Sequence, residues 1–216
     1  MRKALLFAPM LMLLLTACGG GEEKDLTADL QGQYAALEAA TLEAGITCHY
    51  DGEIREYALR CDYAPEKSVV TVLSPENLAG ISATVDKETL TLSYDDISLD
   101  AGSYSAAAVS PVAALPRLME AAASGYPAEQ SEEEVNGRTC LRLACDLQDQ
   151  EGTVYTTWFD KKTFLPLRSE IVVDGNMVFE VAWTRFETAA APMDTTDPLP
   201  PFTEAEEAAA YANAEE

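Results

Sequence analysis

One histidine, His49, stands in a chain of 216 residues. Any imidazole-based triad would have to use it, yet no Gly-x-Ser-x-Gly elbow or Cys–His pairing accompanies it. Basic residues are scarce: 14 Lys and Arg face 37 Asp and Glu, a formal net charge of −23. That imbalance excludes nucleic acid as a partner and excludes electrostatic docking on anionic headgroups. Long apolar runs are missing too. The longest, Ala4 to Leu15, is twelve residues with Pro9 inside it. As a helix it reaches about 18 Å, against roughly 30 Å of bilayer core. Asn-x-Ser/Thr is absent, and so is any long-period repeat. Paired acids such as Asp95-Asp96 and Glu132-Glu133-Glu134 fall at turns or in a charge run, where solvation explains them. No catalytic residue, metal ligand or cofactor is assigned.

What the chain does have begins at its start. Arg2 and Lys3 precede the apolar run, which reads as a secretory signal and not as a membrane span. Leu15-Thr16-Ala17-Cys18, followed by Gly19, Gly20 and Gly21, resembles the bacterial lipobox Leu-x-(Ala/Gly)-Cys. The resemblance implies that residues 1–17 are removed, and that Cys18 is diacylated and becomes residue one. The mature protein would then sit on the extracytoplasmic face of a membrane. Losing Arg2 and Lys3 leaves 12 basic residues against 37 acidic ones, a charge of −25. With no polybasic helper, stable anchoring takes about two acyl chains, which a diacylated Cys supplies. Residues 18–24 form a tether. Residues 19–24, beyond Cys18, span at most about 21 Å, so the domain stays near the membrane surface.

A domain is expected over residues 25–187, large enough for a real core. Asp25 is a plausible N-cap. Leu26, Leu30, Tyr34, Leu37 and Thr41 recur at helical spacing, so a helix of about 18 residues is expected, stopped by Gly45. From Ile46 the period becomes 2. Ile46, Cys48 and Tyr50 point one way, Thr47 and His49 the other. Gly52-Glu53 fits a hairpin loop, and Tyr57, Leu59, Cys61 and Tyr63 share a face of the return strand. Short strands follow at 68–73, 78–85 and 89–94, the last with Leu90, Leu92 and Tyr94 inward, then a short piece around Ile97 and Leu99.

Ser110-Pro111 marks a helix start, with Val112, Leu115, Leu118, Met119 and Ala122 as its apolar stripe. Pro116 within the stripe is expected to kink or split it. Strands resume at 128–135, and Asn136-Gly137 is a strong hairpin signal. Leu141, Leu143 and Cys145 share one face of the next strand, Cys140 and Arg142 the other. Strands at 154–159 and 165–173 and the Asp174-Gly175 turn lead to a last strand lined by Met177, Phe179, Val181 and Trp183. Residues 188–216 are rich in Ala, Pro, Thr and acids without apolar period, and read as a largely disordered tail.

Thr157 to Glu170 reads Thr-Trp-Phe-Asp-Lys-Lys-Thr-Phe-Leu-Pro-Leu-Arg-Ser-Glu. This hairpin, with a strand ending in Trp158, the turn Asp160-x-x-Thr163 and then Leu165-Pro166-x-Arg168, resembles the LolA/LolB superfamily of outer-membrane lipoprotein carriers. The resemblance covers roughly residues 25–187, although only the hairpin is motif-like. It implies an α+β fold: a strongly curved antiparallel sheet of about ten strands, an unclosed half-barrel, with the N-terminal helix and a helical insert on the concave face. It also implies a cavity for acyl chains. Relatives serve as carriers, glycolipid-binding lipoproteins and envelope-stress sensors, so function does not transfer from fold.

On that frame Tyr57, Leu59, Tyr63, Leu92, Tyr94, Leu143, Trp158, Phe179 and Trp183 are the candidate cavity lining, with Leu115 and Met119 as the lid. The other reading of the same residues is a filled core. Of the five cysteines, Cys18 is assigned to lipid. Cys48, Cys61, Cys140 and Cys145 stay open between buried thiols, at least one disulfide, and a zinc site. With Gly52-Glu53 as the loop, Cys48 faces Tyr57 and lies roughly 13 Å from the level of Cys61, too far for a bridge. Cys140 and Cys145 point to opposite faces. Two functions follow: a non-enzymatic anchored envelope lipoprotein that binds an acyl chain, lipid or lipoprotein, or an envelope sensor or protein-interaction domain with a solid core.

Overall fold

The computed structural model describes residues 25–50, 52–104 and 110–188. The expected leader, lipobox with Cys18 and tether, and the expected tail from 189 on, lie outside the described residues. Two meanders make one sheet. Strands β1 (Ala40–Tyr50), β2 (Glu53–Tyr63), β3 (Lys67–Ser74), β4 (Ser82–Asp86), β5 (Thr89–Tyr94) and β6 (Ile97–Ser103) pair each with the next. Strands β7 (Tyr126–Val135), β8 (Arg138–Asp146), β9 (Thr153–Asp160), β10 (Pro166–Val173) and β11 (Asn176–Thr188) do the same. The meanders join where β1 pairs antiparallel with β11, giving eleven strands in the order β6-β5-β4-β3-β2-β1-β11-β10-β9-β8-β7. The fold is the unclosed antiparallel half-barrel with two helices that the family resemblance implies, with β6 as a full strand.

Turn chemistry sets the register. Asn136-Gly137 and Asp174-Gly175 both hold positive φ at both residues (51° and 73°; 50° and 77°), the backbone that two-residue hairpins need. The first hairpin differs from expectation. Tyr50 pairs with Glu53, two residues off the expected register, so Cys48 faces Arg55 and Cys61 faces Leu42. Cys48 and Cys61 are thus further apart along the ladder than the expected register put them, and all four described cysteines are free and buried.

Helix α1 (Leu26–Ala35) is capped by Asp25, which accepts from the Ala28 N–H at 3.1 Å. It is ten residues long, shorter than its apolar spacing suggests. Leu37 and Thr41 fall beyond it, and Gly45 lies inside β1, opposite Ala58 and Ala182. β1 is flanked on both sides, so ladder bonds to two neighbours outweigh the helix propensity of Ala36 to Ala40.

Helix α2 (Pro111–Ser124) carries the chain from the β6 edge to the β7 edge. Pro111 stands at its start, but the Ser110 hydroxyl makes no cap bond; its carbonyl accepts from Ala113 N–H at 2.9 Å. Pro116 neither ends nor splits the helix. It removes one intrahelical donor, and packing on all sides outweighs that loss: Val112 through Met119 are all buried, with Ala121 and Ala122. Its end presses on the sheet. A Cβ on Gly125 would come within 2.7 Å of the Cys145 Cβ.

Candidate functional site

The sheet face that carries the helices is a continuous apolar wall. Leu42, Ala44 and Ile46 of β1, Leu59 and Cys61 of β2, Val70 and Val72 of β3, Ala83 and Val85 of β4 and Leu90 of β5 line one half. Leu143 of β8, Tyr155 and Phe159 of β9, Ile171 of β10, and Phe179, Val181 and Trp183 of β11 line the other. Alternation along each strand puts these residues on one side. Against them pack Leu30 and Tyr34 of α1 and Ala113, Leu115, Leu118 and Met119 of α2.

This interior is full. Leu30, Leu42, Leu59, Cys61, Val70, Ala83, Ala113, Leu115 and Ile171 have no accessible surface at all, so no water-sized void adjoins them. Three aromatic contacts close it at one end: Tyr34 meets Phe159 edge-on at 5.3 Å and Phe186 at 5.8 Å, and Trp183 meets Phe186 at 6.3 Å. Several polar side chains inside are paired. Tyr34 Oη donates to the Phe164 carbonyl at 2.9 Å. Trp183 Nε1 donates to Ser169 Oγ at 2.8 Å, and Ser169 shares a hydrogen with Thr157 Oγ1 at 2.7 Å. Burial pushes the Cys48 thiol up to about 12 and Cys145 to about 11, so both stay protonated. Protonated, buried thiols offer no nucleophile.

The wall extends past the helices at one end. Beyond buried Leu90, Leu92 is half-buried and Tyr94 is 53% exposed. Ile97 pairs with Tyr94 and Leu99 with Leu92, and both are exposed, at 72% and 63%. Tyr94 rests over Gly80, where an added Cβ would stand 3.8 Å from its Cε2. Tyr57 is half-buried at the same end of β2.

The sequence candidates therefore divide into three sets. Leu59, Tyr63, Leu115, Met119, Leu143, Phe179 and Trp183 come together in the packed interior. Tyr57, Leu92 and Tyr94 lie where the wall runs out into solvent. Trp158 joins neither. It is on the outer face with Cys140 and Leu167, donates from Nε1 to Glu133 at 2.7 Å, and is flanked by the Arg168 and Arg142 guanidiniums at 5.1 and 5.5 Å. Both faces of β9 are covered, so its burial does not alternate and gives no inward signal. His49 is also on the outer side, with Nε2 2.8 Å from Glu180 Oε1.

Arg117 belongs to none of these sets. It sits in the middle of α2, 2% exposed. Its guanidinium stacks 4.0 Å over the Tyr104 ring, donates to the Tyr104 carbonyl at 3.0 Å, and pairs with Asp149 and, at 3.4 Å, Glu120. Arg117 Nε and the Tyr155 hydroxyl are buried without a partner. The signal was present in the sequence: a lone cation among Ala113, Ala114, Leu118 and Ala121 must either break the apolar surface or be neutralised within it. Beside it a cleft of about 380 Å³ opens between α2 and the turns after β2 and β4, lined by Tyr63, Lys67, Lys87, Tyr104, Arg117 and Glu120 among others. Burial, with Glu120 nearby, pushes Tyr63 up to about 12. The cleft carries charged side chains of both signs, which the apolar wall lacks.

Among the described residues no helix is long and apolar enough to cross a membrane, and no group of three side chains is placed to hold a metal ion.

The architecture defines a fold class: one open antiparallel sheet of eleven strands with two helices packed on its inner face. Solved structures similar to this chain include a DUF1329 family protein from Desulfovibrio piger, at 12% identity over 79% of this chain and 93% of that one, TM-score 0.49. A LolA superfamily protein from Nitrosomonas europaea is similar at 10% identity over 79% and 97%, TM-score 0.40. The lipoprotein LppX from Mycobacterium tuberculosis is similar at 15% identity over 77% and 97%, TM-score 0.41. No protein-family model matches the chain, and no curated protein matches its sequence.

Proposed function

We propose that the chain is a non-enzymatic lipoprotein of the bacterial cell envelope, anchored through acyl chains on Cys18, whose half-barrel binds an apolar ligand such as an acyl chain or lipid. One observation supports the ligand reading above others: the apolar wall is longer than the helices that cover it. Leu92, Tyr94, Ile97 and Leu99 continue the core surface into solvent. An alkyl chain laid along them would gain about 0.8 kcal/mol for each CH₂ buried. The interior beyond is filled, so deeper entry requires α2 to move. Its small residues Ala113, Ala114, Ala121 and Ala122 leave a smooth surface for a shift. Titration of cis-parinaric acid into the purified protein tests this. Saturable binding, weakened by Ile97→Asp or Leu99→Asp, is the expected result; absence of saturable binding refutes it.

A second reading has its own observation. The same filled interior favours a domain that binds a protein partner and needs no lipid. It calls for a crosslinked partner of the intact protein in native membranes, and it fails if no crosslink forms.

A further inference from the structure

Among the described residues the sheet ends in two edge strands of opposite character. β7 carries Pro127 and four glutamates, Glu129, Glu132, Glu133 and Glu134, and Thr27 of α1 donates to Gln130 beside it at 2.6 Å. Proline and charge keep an edge from pairing with another chain. Over Ile97–Asp100, β6 has no proline and a single charge, and every residue is exposed. On its inner side the ladder to β5 is regular: Tyr94 opposite Ile97, Ser93 opposite Ser98, Leu92 opposite Leu99. Regularity ends past Asp100, where the register shifts and Gly102 takes φ +95°. The usable template is therefore Ile97-Ser98-Leu99-Asp100.

We propose that this edge docks an extended segment of another protein in which apolar residues alternate with Lys or Arg. A strand added to β6 continues the pleat, so its side chains alternate between the two faces. Those on the face of Ile97 and Leu99 extend the apolar wall; those on the other face stand beside Ser98 and Asp100. Charge selects the occupant. From Thr89 to Ser103 the hairpin contains Asp95, Asp96 and Asp100 and no Lys or Arg. A second copy would set the same three aspartates against these, within chains of net charge −23. A basic segment is attracted where a second copy is repelled. The inference rests on the partner-binding reading and gives that reading a surface.

The probe is a fluorescein-labelled octapeptide of alternating Val and Lys, with the full chain, at about 0.15 M salt so that long-range attraction is screened. Controls are a peptide of the same composition with Val and Lys in blocks, and an alternating Val–Glu peptide. Fluorescence anisotropy should show the Val–Lys peptide binding, at least about tenfold weakened by Ser98→Pro and by Leu99→Lys, with neither control binding. Asp100→Lys should shift preference toward the Val–Glu peptide, and thermal melts establish that each variant is folded. Equal binding of the block peptide, or full binding by folded Ser98→Pro and Leu99→Lys, overturns the proposal. So does a wild-type dimer in analytical ultracentrifugation that Leu99→Lys dissolves. Membrane crosslinks unchanged in the β6 variants overturn only the edge; their absence in the wild type overturns the reading beneath it.

Discussion

Arg117→Met removes the one cation buried within α2 while keeping a long apolar stem. Three interactions go: the ion pair to Asp149, the bond to the Tyr104 carbonyl and the stacking at 4.0 Å over its ring. Breaking a buried pair by removing one partner costs about 3–5 kcal/mol. Asp149 is 33% exposed, so water takes up its freed carboxylate and the lower end applies. The orphaned Tyr104 carbonyl adds roughly 1 kcal/mol, and the methionine returns about as much through packing. The net expectation is a loss of about 3 kcal/mol, seen in urea unfolding as a lower midpoint at unchanged slope. At about 2–4 °C per kcal/mol for a domain of this size, the melting temperature falls by roughly 6–12 °C. Asp149→Asn and the double variant complete a cycle. A loss under about 0.5 kcal/mol, or strict additivity in the cycle, would refute the reasoning, since Arg117 would then be a solvated residue.

Ser169→Ala leaves the buried Trp183 indole N–H without its acceptor, and stability should fall by about 1–3 kcal/mol with a changed tryptophan emission. Burial holds Glu170 above the ordinary carboxylate range, opposed by Arg168 and reinforced by Glu180. The folded state thus keeps that proton longer than the unfolded state does. Its contribution is present at low pH and is lost as pH rises from the ordinary range through the raised value. Glu170→Gln should flatten that part of a urea-unfolding series across pH. Cys48, Cys61, Cys140 and Cys145 should resist a thiol reagent in the native protein and all react once it is unfolded, with melting unaffected by reductant.

The hairpins were legible because their turns need positive φ, and Asn136-Gly137 and Asp174-Gly175 are residues that accept it. Alternation at Tyr57, Leu59, Cys61 and Tyr63 was legible because β2 has one covered face over that stretch. The first helix is shorter than its apolar spacing suggests because Leu37 and Thr41 continue a helical spacing that strand pairing overrides. Trp158 faces outward although its bulk suggests a core residue, because both faces of β9 are buried and a bulge between Pro166 and Arg168 disturbs the facing strand. Where the wall escapes its helices could not be read at all. Leu92, Tyr94, Ile97 and Leu99 alternate as core residues do, and their exposure depends on where α2 crosses the sheet.

Native mass spectrometry of the full-length protein, released from membranes into mild detergent, tests the central claim most directly. The expected spectrum shows the covalently acylated chain carrying a further, noncovalent lipid, which is lost in Ile97→Asp and Leu99→Asp. A folded wild-type chain that appears only at its acylated mass, or an adduct that both variants retain, would contradict an apolar ligand on the open end of the wall.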